Sequence, residues 1–321
     1  MPDAVCLGEL LIDFVPTITG TSLVDAPAFK KAPGGAPANV AVGLSRLGAT
    51  AAFMGKVGDD AFGHFLADTL AAYGVDVGPL RFTDKARTAL AFVSLRADGD
   101  REFMFYRHPS ADMLFAAEDV DVDLIRRAKL LHFGSIGMID EPCRSAALLA
   151  VTAAQDAGLL ISYDPNLRLA LWPDAEAAKA GMMLAWPKAD IIKVSEEELE
   201  FLTGVSDPVR AGRGLWHNQL RLLIVTCGAK GCFYLTREFE GEVAGLPATA
   251  VDATGAGDAF VAGLLQGILA DPRVIDDEAR LKDLCRFANA TGAVATMERG
   301  AIPALPKRER VLSFLKQHDD R

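Results

Sequence analysis

The chain has 321 residues, half of them hydrophobic and 24% charged, with a formal net charge of −10 at pH 7. That length suits one large domain or two ordinary ones, and the composition is globular rather than disordered. The acidic balance argues against a general nucleic-acid binder, which needs clustered Lys and Arg.

The N-terminal AVCLGELLIDFVP (residues 4–16) reads as a strand, with Asp3 and Glu9 early and no basic stretch, so it does not resemble a secretory signal. Residues 10–33 are extended and rich in turn formers. KAPGGAPANVAVGLSRLGA follows, where Gly34-Gly35 opens a helix with Asn39 near its start. TAAFMGKVG is the next strand. TALAFVSLRADGDREFMFYR (88–107) then reads as two strands around Ala97-Asp98-Gly99-Asp100, a hairpin signal. Further strands are KLLHFGSI, LLISYDPN, ADIIKVS and LRLLIVTCG. Helical patterns lie between them, as in EPCRSAALLAVTAAQDAG and EAAKAGMMLAWPKA. The last motif, VDATGAGDAF, runs into AFVAGLLQGILA, whose Val261, Leu264, Leu265, Ile268 and Leu269 keep helical spacing from a start near Gly257.

Strands that are apolar on both faces and alternate with helices mean a mostly parallel sheet covered on both sides, with ligands at the C-terminal strand ends. The intrusive hairpin, together with residues 10–33, suggests a small sheet standing off the main domain as a lid or dimer surface. The competing reading makes it an antiparallel edge of the main sheet. The five cysteines, Cys6, Cys143, Cys227, Cys232 and Cys285, form no C-x-x-C pair and read as buried reduced thiols. No apolar run reaches the roughly 18 residues of a membrane span. A cytoplasmic protein is the expectation.

Gly255-Ala256-Gly257 precede Asp258 at a helix start, where unpaired N–H groups and the macrodipole suit an anion. A carboxylate beside a phosphate makes sense if it accepts the proton of an attacking hydroxyl. The bland reading is an aspartate decorating a helix start. The segment is neither a Walker A loop nor a dinucleotide fingerprint. Asn39, after Gly34-Gly35, offers both donor and acceptor groups to a polyol.

Gly34-Gly35-Ala36-Pro37-Ala38-Asn39 and Asp252-Ala253-Thr254-Gly255-Ala256-Gly257-Asp258 together resemble the paired signatures of the PfkB, or ribokinase-like, carbohydrate kinases. ARTALAFVSL, REFMFYRHPSADMLF, DEPCRSA, SYDPNLRLALW and IIKVSEEELEFLTG look most like the fructokinases of that family. The resemblance implies a three-layer α/β/α sandwich with a β-sheet lid. One kinase domain would span residues 1–321, its discontinuous lid drawn from about 10–33 and 88–107. It further implies an ATP-dependent kinase converting D-fructose to fructose 6-phosphate with Mg²⁺. The alternatives are 2-keto-3-deoxygluconate, ribose or a nucleoside as substrate, or a catalytically silent sugar-binding regulator.

Carried over residue by residue, the resemblance makes Asp258 the general base and the N–H groups of Gly255, Ala256 and Gly257 the anion hole. Asp13, Gly34, Gly35 and Asn39 would hold the sugar, with Arg107, Asp112 and Arg168 as further sugar or phosphate contacts. Asp164 and Asn166 fall at a strand end, in reach of a ligand or as an Asx-turn with Pro165. The nucleotide side takes Lys193, Thr226, Gly228, Gly231 and Asn289. Gly228 to Gly231 also reads as a β-turn, and Asn289 as a satisfied core amide. Glu198 matches the acid of the family's metal motif, with Ser195 where asparagine is usual, and S-x-x-E is also a capping box. Asp252 is a cation ligand or a strand-end cap, and Ala253 replaces the usual Thr in a loop that can contribute carbonyls to K⁺. The expected partners are a small sugar, ATP and a second copy through the lid, with no nucleic acid or membrane.

Overall fold

The computed structural model describes residues 1–18, 20–95 and 101–319. The turn expected at Ala97 to Asp100 lies outside them. In chain order the strands are β1 Ala4–Leu7, β2 Leu11–Pro16, β3 Phe29–Gly34, β4 Ala51–Gly58, β5 Leu80–Thr83, β6 Leu90–Leu95, β7 Arg101–Tyr106, β8 Leu130–Gly134, β9 Leu160–Asp164, β10 Ile191–Ser195, β11 Leu222–Thr226, β12 Gly231–Leu235 and β13 Glu240–Ala244. The α-helices are α1 Ala36–Arg46, α2 Ala61–Ala72, α3 Val122–Arg126, α4 Cys143–Asp156, α5 Ala175–Ala185, α6 Glu196–Thr203, α7 Pro208–Gly214, α8 Ala256–Ala270, α9 Glu278–Ala295 and α10 Arg308–Asp319.

A nine-stranded sheet runs in the order β13-β12-β11-β10-β9-β8-β1-β4-β5. It is parallel from β5 to β11, and β12 and β13 add an antiparallel edge. Successive residues point to opposite faces, so each strand feeds two cores. Ala4 and Cys6 of β1, and Leu222 and Ile224 of β11, face one core with α1, α8 and α9. Val5, Leu7, Leu223 and Val225 face the other, with α4, α5 and α6. The three-layer architecture follows from that alternation.

The segment 4–16, expected as one strand, is two strands in different sheets. The chain leaves the main sheet after β1 because Gly8 packs directly on the start of α1, where a Cβ would come 2.6 Å from Pro37 Cγ. β2 then joins a four-stranded sheet of order β3-β2-β6-β7. β2 and β6 are parallel, and the outer pairs are antiparallel. β6 and β7 therefore form no edge of the main sheet. Phe14 stacks on Phe92 at 5.0 Å and meets Phe62 of α2 edge-on at 5.9 Å, which seats the small sheet on the main body. All five cysteines are free thiols; Cys143 is half-buried and the other four are buried. No helix among the described residues is long and apolar enough to cross a membrane.

Small residues let α1 and α9 each pack closely on α8. A Cβ at Gly43 would come 2.5 Å from the Ala262 Cβ, and one at Gly263 would come 2.8 Å from Thr291 Oγ1 of α9. Asn39 lies four residues before Gly43, and Asp258 four before Ala262. Residues four apart share a helix face. The tight Gly43–Ala262 crossing thus brings the two polar side chains together at the N-terminal ends of α1 and α8.

Candidate active site

Asn39 Nδ2 donates to Asp258 Oδ2 at 2.7 Å, joining two residues 219 positions apart. The Asn39 Oδ1 is buried without a hydrogen-bond partner among the described residues, an acceptor left open beside that pair. Burial pushes the Asp258 carboxyl up to about 6; the Asn39 amide opposes that, Asp164 adds to it, and Lys193 and Arg168 pull it down. A carboxyl near 6 is ionised at neutral pH yet basic enough to take a proton.

Asp258 is the third residue of α8. The preceding Gly255 caps that helix at φ 77 with no side-chain hydrogen bond. A Cβ at Gly255 would press within 2.9 Å of Ala301, so the turn requires glycine. The Ala256 N–H donates to Ala253 O at 3.2 Å, while those of Gly255, Gly257 and Asp258 have no acceptor among the described residues. Lys193 stands over this turn, its Nζ 3.4 Å from where a Gly257 Cβ would sit. It pairs with Asp164 at 3.2 Å, both side chains nearly buried. Burial alone would lower Lys193, but Asp164, Glu198 and Asp258 more than offset it and hold the ammonium above its usual value. Helix terminus, glycine turn and buried ammonium together make an anion cradle beside a carboxylate base, a fit for a phosphoryl group.

Asp13 reaches over the glycine pair. A Cβ at Gly34 would lie 2.2 Å from Asp13 Oδ2. Burial pushes Asp13 up to about 7, with the charge of Arg168 opposing and those of Asp258 and Asp252 adding. Arg168 Nη1 also donates to Leu167 O at 3.0 Å. Arg107 and Asp112 turn to one another instead: both Nε and Nη2 reach Asp112 Oδ2 at 2.7 Å, and Ser110 Oγ donates to the other oxygen. Asn166, at the end of β9, takes φ 48.

Ser195 and Glu198 form the capping box of α6. Glu198 Oε1 accepts from Leu167 N at 2.6 Å and Oε2 from Ser195 N at 2.8 Å, leaving one lone-pair direction on each oxygen. Asp252 Oδ1 accepts from Thr254 N and Oγ1, and its Oδ2 from Gly300 N. It ties the 252–255 turn to the 300 loop. Thr226 Oγ1 donates to Val194 O at 3.3 Å. Gly231 takes φ 111, where a Cβ would meet Val243 O at 2.1 Å, so the 228–231 turn is built for β-pairing. Asn289 Nδ2 donates to Val243 O at 3.1 Å and Ala244 O at 3.3 Å, fastening α9 to the end of β13.

The chain matches the model of the pfkB family carbohydrate kinases over residues 1–308. It belongs to that family. A probable fructokinase of Arabidopsis thaliana is 56% identical over 314 residues, covering 97% of this chain and 92% of the relative. Among solved pfkB-like structures, a fructokinase of Xylella fastidiosa with bound ATP superposes with TM-score 0.89 at 36% identity, covering 99% of this chain and 100% of that one. A double mutant of the Vibrio cholerae O395 fructokinase, with fructose, ADP and potassium bound, gives 0.87 at 35% identity over 98% of both chains.

One buried acid of this pfkB chain escapes motif reading. Glu9, at the junction between β1 and β2, is 5% exposed. The signal for it is a glutamate directly after a glycine at a strand end, inside a segment that otherwise reads as one continuous strand.

Proposed function

We infer that the chain is an ATP-dependent fructokinase, forming fructose 6-phosphate and ADP. The observation that carries this reading is the Asn39–Asp258 pair beside the unpaired N–H groups of the α8 start, in a chain 56% identical to a probable fructokinase. Asp258 takes the proton of the attacking hydroxyl. The Asn39 amide fixes the carboxylate through Nδ2 and offers Oδ1 to a sugar hydroxyl. Asp13 and the Gly34-Gly35 backbone complete the sugar contacts, with Arg168 at the boundary between sugar and phosphate. The unpaired N–H groups of Gly255, Gly257 and Asp258 receive the phosphoryl oxygens as charge spreads over them, while that of Ala256, also expected in the anion hole, is turned to Ala253 O. Lys193 is the nearby cation.

Thr226, Gly228, Gly231 and Asn289 border the nucleotide, the last two through the β12–β13 hairpin they hold in place. Bound Mg²⁺ would neutralise phosphate charge and orient the phosphates. The free lone pairs of Glu198 suit the ion's hydrating waters better than direct coordination. Asp252 orders a turn whose carbonyls suit K⁺, the ion present in the Vibrio relative. The four-stranded sheet acts as the lid of a single domain over residues 1–321. Its exposed Val15, Ile18, Met104 and Tyr106 suit a contact with a second copy. The five free thiols suit a cytoplasmic setting.

An acid-sugar substrate such as 2-keto-3-deoxygluconate needs a cation for its carboxylate. Arg107 is neutralised by Asp112 and Arg168 faces acids, which favours a neutral sugar. Coupled ADP release with fructose, 2-keto-3-deoxygluconate, ribose and a nucleoside tests this. Fructose should give the highest kcat/KM, and a higher value for any other acceptor overturns the assignment.

A further inference from the structure

Glu9 lies outside both family signatures, residues 34–39 and 252–258, yet it is a buried carboxylate, and such groups are costly without a partner. Its partner is the head of α1. Glu9 Oε1 accepts the Ala36 N–H at 2.9 Å, across 27 residues. The residue at the usual capping position is Gly35, which has no side chain to offer. Glu9 supplies from the β1–β2 junction the acceptor that a Ser or Asp normally provides, at the positive end of the helix dipole.

The junction is tight on both sides. A Cβ at Gly35 would come 2.3 Å from the Glu9 carbonyl oxygen, and one at Gly8 would strike Pro37. Below them, Glu9, Arg107, Asp112 and Phe133 border a cavity of about 20 Å³, room for one water and for no sugar. On this side Glu9 meets no space that a sugar could fill. Burial pushes its carboxyl up to about 7, against the Ala36 N–H and Arg107 and with Asp112 adding. An oxygen acceptor remains in either protonation state, which makes glutamine a fair mimic.

Asn39 follows Ala36 by one helical turn, and its own N–H donates to Gly35 O at 2.9 Å. Its amide then meets Asp258 at 2.7 Å. We propose that Glu9 is a positioning residue for phosphoryl transfer: by capping α1 from the junction of the two sheets, it sets the Asn39 amide against the Asp258 carboxylate. The inference rests on the reading of Asn39 and Asp258 as the catalytic pair.

The test uses full-length Glu9→Ala and Glu9→Gln, each alone and combined with Asn39→Ala, with thermal melts alongside. Glu9→Ala should lower kcat by about 10²-fold, the scale of an ångström-sized misplacement, with KM for ATP unchanged. Glu9→Gln should return kcat to within about tenfold of wild type, since a neutral acceptor replaces a charged one. In the Asn39→Ala background, Glu9→Ala should cost no further kcat, because both changes break one chain of contacts. Should Glu9→Ala fail to fold, Glu9→Asp, one methylene short of Ala36, takes its place with the same expectation. A folded Glu9→Ala or Glu9→Asp with wild-type kcat, a Glu9→Gln no better than Glu9→Ala, or additive losses with Asn39→Ala overturns the proposal. Asn39→Ala with wild-type kcat would sink the catalytic reading of the pair, and this inference with it. An impaired Asn39→Ala beside an unimpaired Glu9→Ala overturns the role of Glu9 alone.

Discussion

Replacing Asp258 by asparagine should slow the enzyme and stabilise the fold at once. The native carboxyl is raised from 3.8 to about 6, with burial as the largest cause. The folded state therefore holds a proton between those values that the unfolded chain has already released. Stability falls as pH rises through that window, and the whole cost is present above pH 6. At about 1.4 kcal/mol per pKa step, it amounts to roughly 3 kcal/mol at neutral pH. The substituted amide would carry no charge to desolvate and would regain that amount. Divided by an unfolding entropy of roughly 0.7 kcal/mol/K for a chain of this length, the gain is about 4 °C in Tm. Differential scanning calorimetry of wild type and Asp258→Asn at pH 8 and pH 4 reads it directly. The variant should melt higher at pH 8, and most of the gap should be gone by pH 4, where the folded carboxyl is protonated and the unfolded one, close to its value of 3.8, is partly so. Its kcat with fructose and MgATP should fall by about 10²–10⁴-fold, the usual loss of a positioned base. A variant that melts lower at pH 8 refutes burial of charge as the origin of the raised pKa. One that keeps wild-type kcat refutes the base.

Two further outcomes follow from the same site. With wild-type enzyme, kcat/KM for fructose should fall about tenfold per pH unit below about pH 6, because the raised pKa protonates Asp258 there; a flat profile down to pH 5 contradicts this. Gly35→Ala places a Cβ 2.3 Å from the Glu9 carbonyl in a backbone region at φ 116 that side chains avoid. It should cost about 1–3 kcal/mol in urea unfolding and raise KM for fructose, and an unchanged variant would contradict the tight junction.

Much of the site was legible because its chemistry is local. The α8 start needs only a glycine turn and helical periodicity, and Ser195 and Glu198 announce a capping box by their spacing. The small sheet was legible from apolar hairpin strands that interrupt a βα rhythm. What escaped depends on packing between distant segments. Nothing in the spacing of Gly43 and Ala262 says that they touch, yet that crossing places Asn39 on Asp258. Arg107 and Asp112 were expected at the ligand, but five residues apart around a turn they satisfy one another. The break between β1 and β2 was hidden because both strands are apolar, and only the contact of Gly8 with Pro37 reveals where the chain changes sheets.

The central claim, transfer of a phosphoryl group to the 6-hydroxyl of fructose, is tested most directly by identifying the product. Wild-type protein incubated with fructose and MgATP, followed by phosphorus NMR, should yield fructose 6-phosphate and ADP in equal amounts. ATP left intact in the presence of fructose, or a phosphate ester at another position of the sugar, would contradict the account.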